Sequence, residues 1–224
     1  MSRRDELYQH VVRNGIVGVV REDDSEVGWE IARAYAENGI RSIEITLTTP
    51  NPFELIARLM RRYGESGIVV AAGTVRGSNA AAEARRAGAQ ILVSPHTDLS
   101  VIDYSIEHDL LCVAGAATAT EIIHAWEAGA GLIKVYPAGL LGGPAFFRTI
   151  RQPIRDVPLL AGGPVAIEEI EAYMEAGAVA LNLAAALAPP DLVAAGAWDQ
   201  VGRRVAMAVS TFQSRKSASE SVVH

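Results

Sequence analysis

The chain has 224 residues, half of them apolar, and a formal net charge of −6. That length suits one large domain or at most two small ones, and the acidic balance leaves no basic stripe for neutralising nucleic-acid phosphates. One cysteine, Cys112, excludes a disulfide within the chain, and the apolar runs are broken by Gly, Pro or charge well short of a membrane span. The first residues, Met1-Ser2-Arg3-Arg4-Asp5-Glu6, are polar and lead into an amphipathic segment rather than a signal peptide, so a soluble, cytoplasmic protein is expected.

Residues 3–13 read as a short helix, and Gly15 leads into an apolar strand at 16–21. Asp24 or Ser25 can cap a helix over 26–38, with Val27, Ile31 and Tyr35 on one face and Gly39 as its stop. A strand at 42–47 follows, then Thr49-Pro50-Asn51-Pro52 opens a helix to about Arg62. A strand at 68–72 runs into Gly73-Thr74 and an alanine-rich helix at 78–87. The alternation continues with strands at 90–93, 111–114, about 132–136, 158–161 and 179–183. Helices near 98–108, 119–128, 144–151, 166–176 and 190–212 answer them. Residues 213–224 read as a polar C-terminal tail beyond a single domain at 1–212.

A repeat supports this count. Asn38-Gly39-Ile40, Ala87-Gly88-Ala89, Ala128-Gly129-Ala130 and Ala176-Gly177-Ala178 each end a helix on glycine and start a strand, at intervals of 49, 41 and 48 residues. Each interval holds two strand–helix units, so the pattern predicts a single (β/α)8 TIM barrel with an extra N-terminal helix. The rival is an open doubly wound sheet, but no Gly-x-Gly-x-x-Gly follows the first strand.

In such a barrel alternate strand residues point inward, and sites form at the C-terminal strand ends. Ile43, Ile45 and Leu47 share the parity that faces the helices, while Ser42, Glu44, Thr46 and Thr48 share the inward one. Lys134 shares its parity with Leu132 and Tyr136, and Arg21 with Val17 and Val19. Thr74 ends the third strand, Pro95 and His96 follow the fourth, and Gly162-Gly163-Pro164 follow the seventh. No His/carboxylate cluster stands at metal spacing and no Gly-x-Ser-x-Gly elbow occurs, so neither a metal nor a cofactor is expected.

The cation inside the strand at 132–136 is a lysine in a chain that has only two, Lys134 and Lys216, against 18 arginines. Arginine stays protonated, whereas a desolvated lysine can lose its proton and attack a carbonyl. Lys134, Glu44, Arg21 and a threonine at one mouth fit amine chemistry on a keto acid. The lysine forms an imine with the keto carbon, the glutamate moves protons and the arginine grips the carboxylate. A buried Glu44–Lys134 salt bridge that only fills the barrel is the structural alternative.

Four blocks, Ser42-Ile43-Glu44-Ile45-Thr46-Leu47-Thr48-Thr49, Ala72-Gly73-Thr74-Val75, Val93-Ser94-Pro95 and Ile133-Lys134-Val135-Tyr136-Pro137-Ala138, stand in a telling order. It resembles the class I aldolases for 2-keto-3-deoxy-6-phosphogluconate, its galactonate counterpart and 4-hydroxy-2-oxoglutarate, over about residues 14–185. The resemblance implies a homotrimeric, cofactor-free barrel enzyme that releases pyruvate. It implies Lys134 as the Schiff-base lysine and Glu44 as general acid/base, with Thr74 and Pro95 lining a pyruvate pocket and Tyr136 packing on the imine. Thr48 stands where the gluconate-type enzymes carry a carboxylate-binding arginine. The galactonate-type enzymes place that arginine at the end of the first strand, where this chain has Arg21. The family's phosphate site uses a Gly-Gly turn after strand seven, here Gly162-Gly163, and a Gly-Ser element after strand eight. This chain instead has Pro164 after the first and Leu181-Asn182-Leu183-Ala184-Ala185-Ala186 at the second, with Ala161 where a threonine is frequent. The other readings are a non-aldolase barrel such as a sugar-phosphate epimerase or phosphosynthase, and a non-catalytic keto-acid-binding relative. The phosphate-dependent readings need a cradle that the Leu181–Ala186 run does not offer.

Overall fold

Local chemistry sets the element boundaries in the computed structural model, which describes residues 1–221. Ser2 and Asp5 form a capping box that starts α1 (Arg3–Asn14). Asp24 accepts from the amides of Glu26 and Val27 and starts α2 (Ser25–Glu37). The helices that follow are α3 (Pro52–Tyr63), α4 (Ser78–Ala87), α5 (Leu99–Glu107), α6 (Ala119–Glu127), α7 (Pro144–Ile150), α8 (Ile170–Glu175), α9 (Pro190–Ala194) and α10 (Trp198–Ser221). The four glycines of the sequence repeat, Gly39, Gly88, Gly129 and Gly177, all adopt φ between +97° and +106°. An L side chain would be strained there, which is why each helix ends where it does.

The strands are β1 (Ile16–Val20), β2 (Ser42–Thr46), β3 (Val69–Gly73), β4 (Ile91–Val93), β5 (Leu111–Ala116), β6 (Leu132–Val135), β7 (Leu159–Ala161) and β8 (Ala178–Leu183). They pair in parallel and in order, and β8 returns to β1, closing the barrel. Outward residues such as Ile43, Ile45, Ala72, Cys112 and Ile133 are buried against the helices. Each large aliphatic side chain fully removed from water there contributes about 1.5–3 kcal/mol. A second apolar cluster fills the inside: Val17, Val69, Ile91, Leu111, Leu132 and Leu160 meet Leu7 and Val11 of α1, which plug the N-terminal end. Above this layer the same inward faces turn polar, with Val19 beside Glu44 in register and Gly115 beside Lys134.

Several boundaries differ from the sequence reading, and the helical region expected at 190–212 is broken into α9 and α10 at residues 195–197. The first strand stops at Val20, so Arg21 stands on the rim. The helix expected at 166–176 begins as a 3₁₀ turn, Ile167–Glu169, because Glu169 reaches back to the Ala166 amide before the α-helical α8 starts. The polar segment expected as a tail from 213 is instead helical through Ser221, as the last turns of α10. Phe212 is buried, Arg215 pairs with Glu175 at 3.1 Å and the Lys216 ammonium donates to the Arg13 carbonyl at 3.3 Å, which hold those turns to the barrel. Residues 222–224 of the expected tail lie outside the described residues. Among the described residues no helix is long and apolar enough to cross a membrane.

Candidate active site

Lys134 occupies the middle of β6, faces the barrel interior and is 8% exposed; Glu44, on the inward face of β2, is 1% exposed. Their Nζ and Oε1 are 3.8 Å apart. Both need room that a side chain on the neighbouring strand would take. A Cβ on Gly162, just past β7, would stand 2.5 Å from Lys134 Cε, and one on Gly73 would overlap the Glu44 carboxylate. A buried ion pair is a weak stabiliser compared with apolar residues of the same shape, so stability alone does not account for this one.

Asn182 is a site residue that the sequence reading did not single out. Its Nδ2 donates to Glu44 Oε2, so the carboxylate lies between an amide and an ammonium. A signal was present: Asn182 is the one amide in the apolar run of β8 and shares the inward parity of Ala180.

Arg21 stands at the rim with its guanidinium held from one side by hydroxyls. Nη1 donates to Thr48 Oγ1 at 3.0 Å and Nη2 donates to Thr74 Oγ1 at 3.4 Å. Thr48 is itself tied to Thr46, Oγ1 to Oγ1, at 3.0 Å. Thr74 adopts φ +59°, a conformation costly for a β-branched residue, by about 1–3 kcal/mol. That turn brings its hydroxyl to Arg21. Among the described residues Arg21 pairs with no carboxylate, which leaves a positioned fork free to grip one from outside.

A cavity of about 290 Å³ opens above this layer, lined by Arg21, Lys134, Tyr136, Gly163 and Asn182 together with small apolar residues. The Tyr136 ring lies beside the ammonium, its centroid 5.5 Å from Nζ. Glu44 forms the floor through Lys134 and Asn182, Gly162 makes room for the lysine, and Thr48 and Thr74 act through Arg21. Pro95 lies outside this cavity: it crosses over β5 at Gly115, the residue paired with Lys134, where any Cβ would meet the Pro95 backbone. Among the described residues no group of three or more His, Cys, Asp or Glu is placed to hold a metal.

Residues 8–204 match the family model described as KDPG and KHG aldolase. The chain belongs to this aldolase family. It is 30% identical over 195 residues to a 2-dehydro-3-deoxy-phosphogluconate aldolase of Treponema pallidum, covering 87% of this chain and 92% of that relative. It is 28% identical over 151 residues to the 2-dehydro-3-deoxy-6-phosphogalactonate aldolase of Escherichia coli K12, covering 67% and 73%. In three dimensions it superposes on a native KDPGal structure with a TM-score of 0.81 at 23% identity, over 90% of this chain and 96% of that one. The fold of the aldolase is thereby shared, and its polar residues converge where a barrel carries its chemistry.

Proposed function

We propose that this chain is a class I aldolase that cleaves a 2-keto-4-hydroxy acid to pyruvate and an aldehyde, with Lys134 as the imine-forming residue. The observation that carries the reading is a lysine inside an apolar barrel, 3.8 Å from a buried glutamate and at the base of an open cavity. Neutral Lys134 adds to the C2 carbonyl, and loss of water gives an iminium. Glu44, directly or through a water, removes the proton of the C4 hydroxyl. The C3–C4 bond then breaks, its electrons pass into the iminium to give an enamine, and the aldehyde leaves. Glu44 returns the proton to C3, and water hydrolyses the resulting imine to release pyruvate and regenerate the lysine.

The iminium is the electron sink, so the chemistry calls for no metal. Arg21 holds the carboxylate of the keto acid by its fork, with Thr48 and Thr74 fixing the fork. Tyr136 covers the imine, Gly162 and Gly163 shape the floor and rim, and Asn182 keeps one Glu44 oxygen turned away from the lysine. Pro95 supports the β5 side. The family likeness supports a homotrimer acting on a small-molecule keto acid in the cytoplasm; light scattering on the eluting protein tests the assembly by a mass three times that of one chain.

Borohydride reduction in the presence of pyruvate, followed by peptide mass mapping, tests the mechanism. A reduced pyruvyl adduct on Lys134 is the expected result. Folded protein that gives no adduct with millimolar pyruvate would sink the imine reading and favour the non-catalytic one.

A further inference from the structure

We propose that Asn182 is the positioning residue for proton transfer: by occupying Glu44 Oε2 it leaves Oε1 as the one oxygen that takes up and returns protons. Asn182 acts through Glu44, so the assignment rests on the imine reading of the site and concerns the steps that follow imine formation.

The strands that flank Glu44 offer its carboxylate no side-chain donor. On β1 the inward residues are Val17 and Val19, with Val19 in register with Glu44, and on β3 they are Val69, Ala71 and Gly73. Thr46, two residues further along β2, engages Thr48 and Thr49 instead, Oγ1 to Oγ1, at 3.0 and 3.2 Å. Among the described residues the carboxylate has two polar neighbours, one for each oxygen. Lys134 Nζ stands 3.8 Å from Oε1, and Asn182 Nδ2 donates to Oε2, reaching from β8 across β1 to β2. Chemistry fixes the orientation of the amide, since the reverse one would set Oδ1 against a carboxylate oxygen.

The two neighbours behave differently through a turnover. Lys134 passes from amine to iminium and back, so its pull on Glu44 changes from step to step. A carboxamide does not titrate, and its N–H bonds Oε2 whether Glu44 is a carboxylate or a neutral acid, because the carbonyl oxygen of the acid still accepts. A proton arriving on Oε2 has to displace that bond, whereas Oε1 accepts no hydrogen bond from the described residues. Oε1 also has room: Gly73 carries no side chain, and a Cβ there would overlap this oxygen. It faces the nitrogen that becomes the imine, and C3 of the bound keto acid is two bonds from that nitrogen. Asn182 is buried in β8 and lines the cavity, so the strand holds its amide in place. Without Nδ2 the carboxylate is free to turn, and a lone pair faces C3 for less of the time.

The imine and proton-transfer steps are separated with the intact protein and pyruvate. Borohydride trapping measures the Lys134 adduct. Proton NMR in D2O measures exchange of the pyruvate methyl: Glu44 removes a C3 proton from the iminium, the C–H electrons form the enamine, and a solvent-derived deuteron returns to C3. In Asn182→Leu, similar in size but without a donor, exchange at saturating pyruvate is expected to fall about thirtyfold, with the adduct yield within about twofold of the parent. Asn182→Gln, which restores an amide donor beside the open cavity, is expected to recover to within about fivefold of the parent. Exchange in Asn182→Leu within about threefold of the parent overturns the assignment and leaves the imine reading standing. So does an adduct loss that matches the exchange loss, or an Asn182→Gln variant no faster than Asn182→Leu. Should Asn182→Leu lack the parent's circular dichroism, Asn182→Ala is held to the same limits. Absence of the adduct in the parent protein overturns both readings.

Discussion

The two ends of the barrel are built from the same strand faces and do opposite things. At the N-terminal end the inward residues Val17, Val69, Ile91, Leu111, Leu132 and Leu160 form a closed apolar layer, and α1 seals it with Leu7 and Val11. Further along the same strands the inward residues become Glu44, Gly73, Lys134, Gly162 and Asn182, which stand beneath the open cavity. Advancing two residues along a strand keeps the parity and moves the side chain up one layer. The comparison teaches that the plug and the reactive layer are separable: one supplies burial, and the other is set on top of it with charges that burial alone would disfavour.

The sharpest way to break the upper layer without touching the lower is Lys134→Arg. Arginine keeps the charge toward Glu44 but cannot form an imine, so lyase activity is expected to fall by about 10⁴-fold or more. The circular dichroism spectrum should stay that of the parent, and loss of the fold would show that the two layers are not separable after all. The converse change is Leu7→Ala, which opens a gap in the plug. A loss of about 2–5 kcal/mol in denaturant unfolding is expected, with the yield of the pyruvyl adduct retained at low temperature.

Arg21→Ala acts at the rim, where a charge-assisted hydrogen bond is worth about 1.5–3 kcal/mol. KM for the keto acid is expected to rise by roughly tenfold or more with the Lys134 adduct still formed at saturating pyruvate. An unchanged KM would remove Arg21 from the carboxylate site. The smallest effect is expected outside both layers. Burial pushes the Cys112 thiol up to about 12, so its thiolate is scarce at pH 8, about one in ten thousand, and the folded protein should not react with a thiol-specific dye over hours. Rapid labelling would mean that β5 opens.

Much of this organisation was legible in the chain. The glycines at 39, 88, 129 and 177 set the phase of the strand–helix alternation, and their positive φ is the physical content of that signal. Strand parity then placed Glu44 and Lys134 inside because a period of two leaves no other choice once Ile43, Ile45, Ile133 and Val135 face the helices. Asn182 went unrecognised because its partner is 138 residues away, across a closure that local pattern does not encode. Thr48, read as the place of a missing arginine, turns out to brace Arg21, a contact that depends on where β1 stops. The polar run after 212 carries few apolar residues, and the contacts to Glu175 and Arg13 that extend the helix are likewise distant in sequence.

The glycines beside the buried pair have a consequence for anyone who would evolve this enzyme. Gly73 and Gly162 carry no chemistry, yet the volume each leaves vacant is the mould in which a carboxylate or an ammonium sits. A library that treats Gly→Ala as its mildest change will, at these two positions, evict the buried carboxylate and ammonium. The safest targets on paper are therefore among the least tolerant in the molecule, and mutational scans that rank positions by chemical similarity will misplace them.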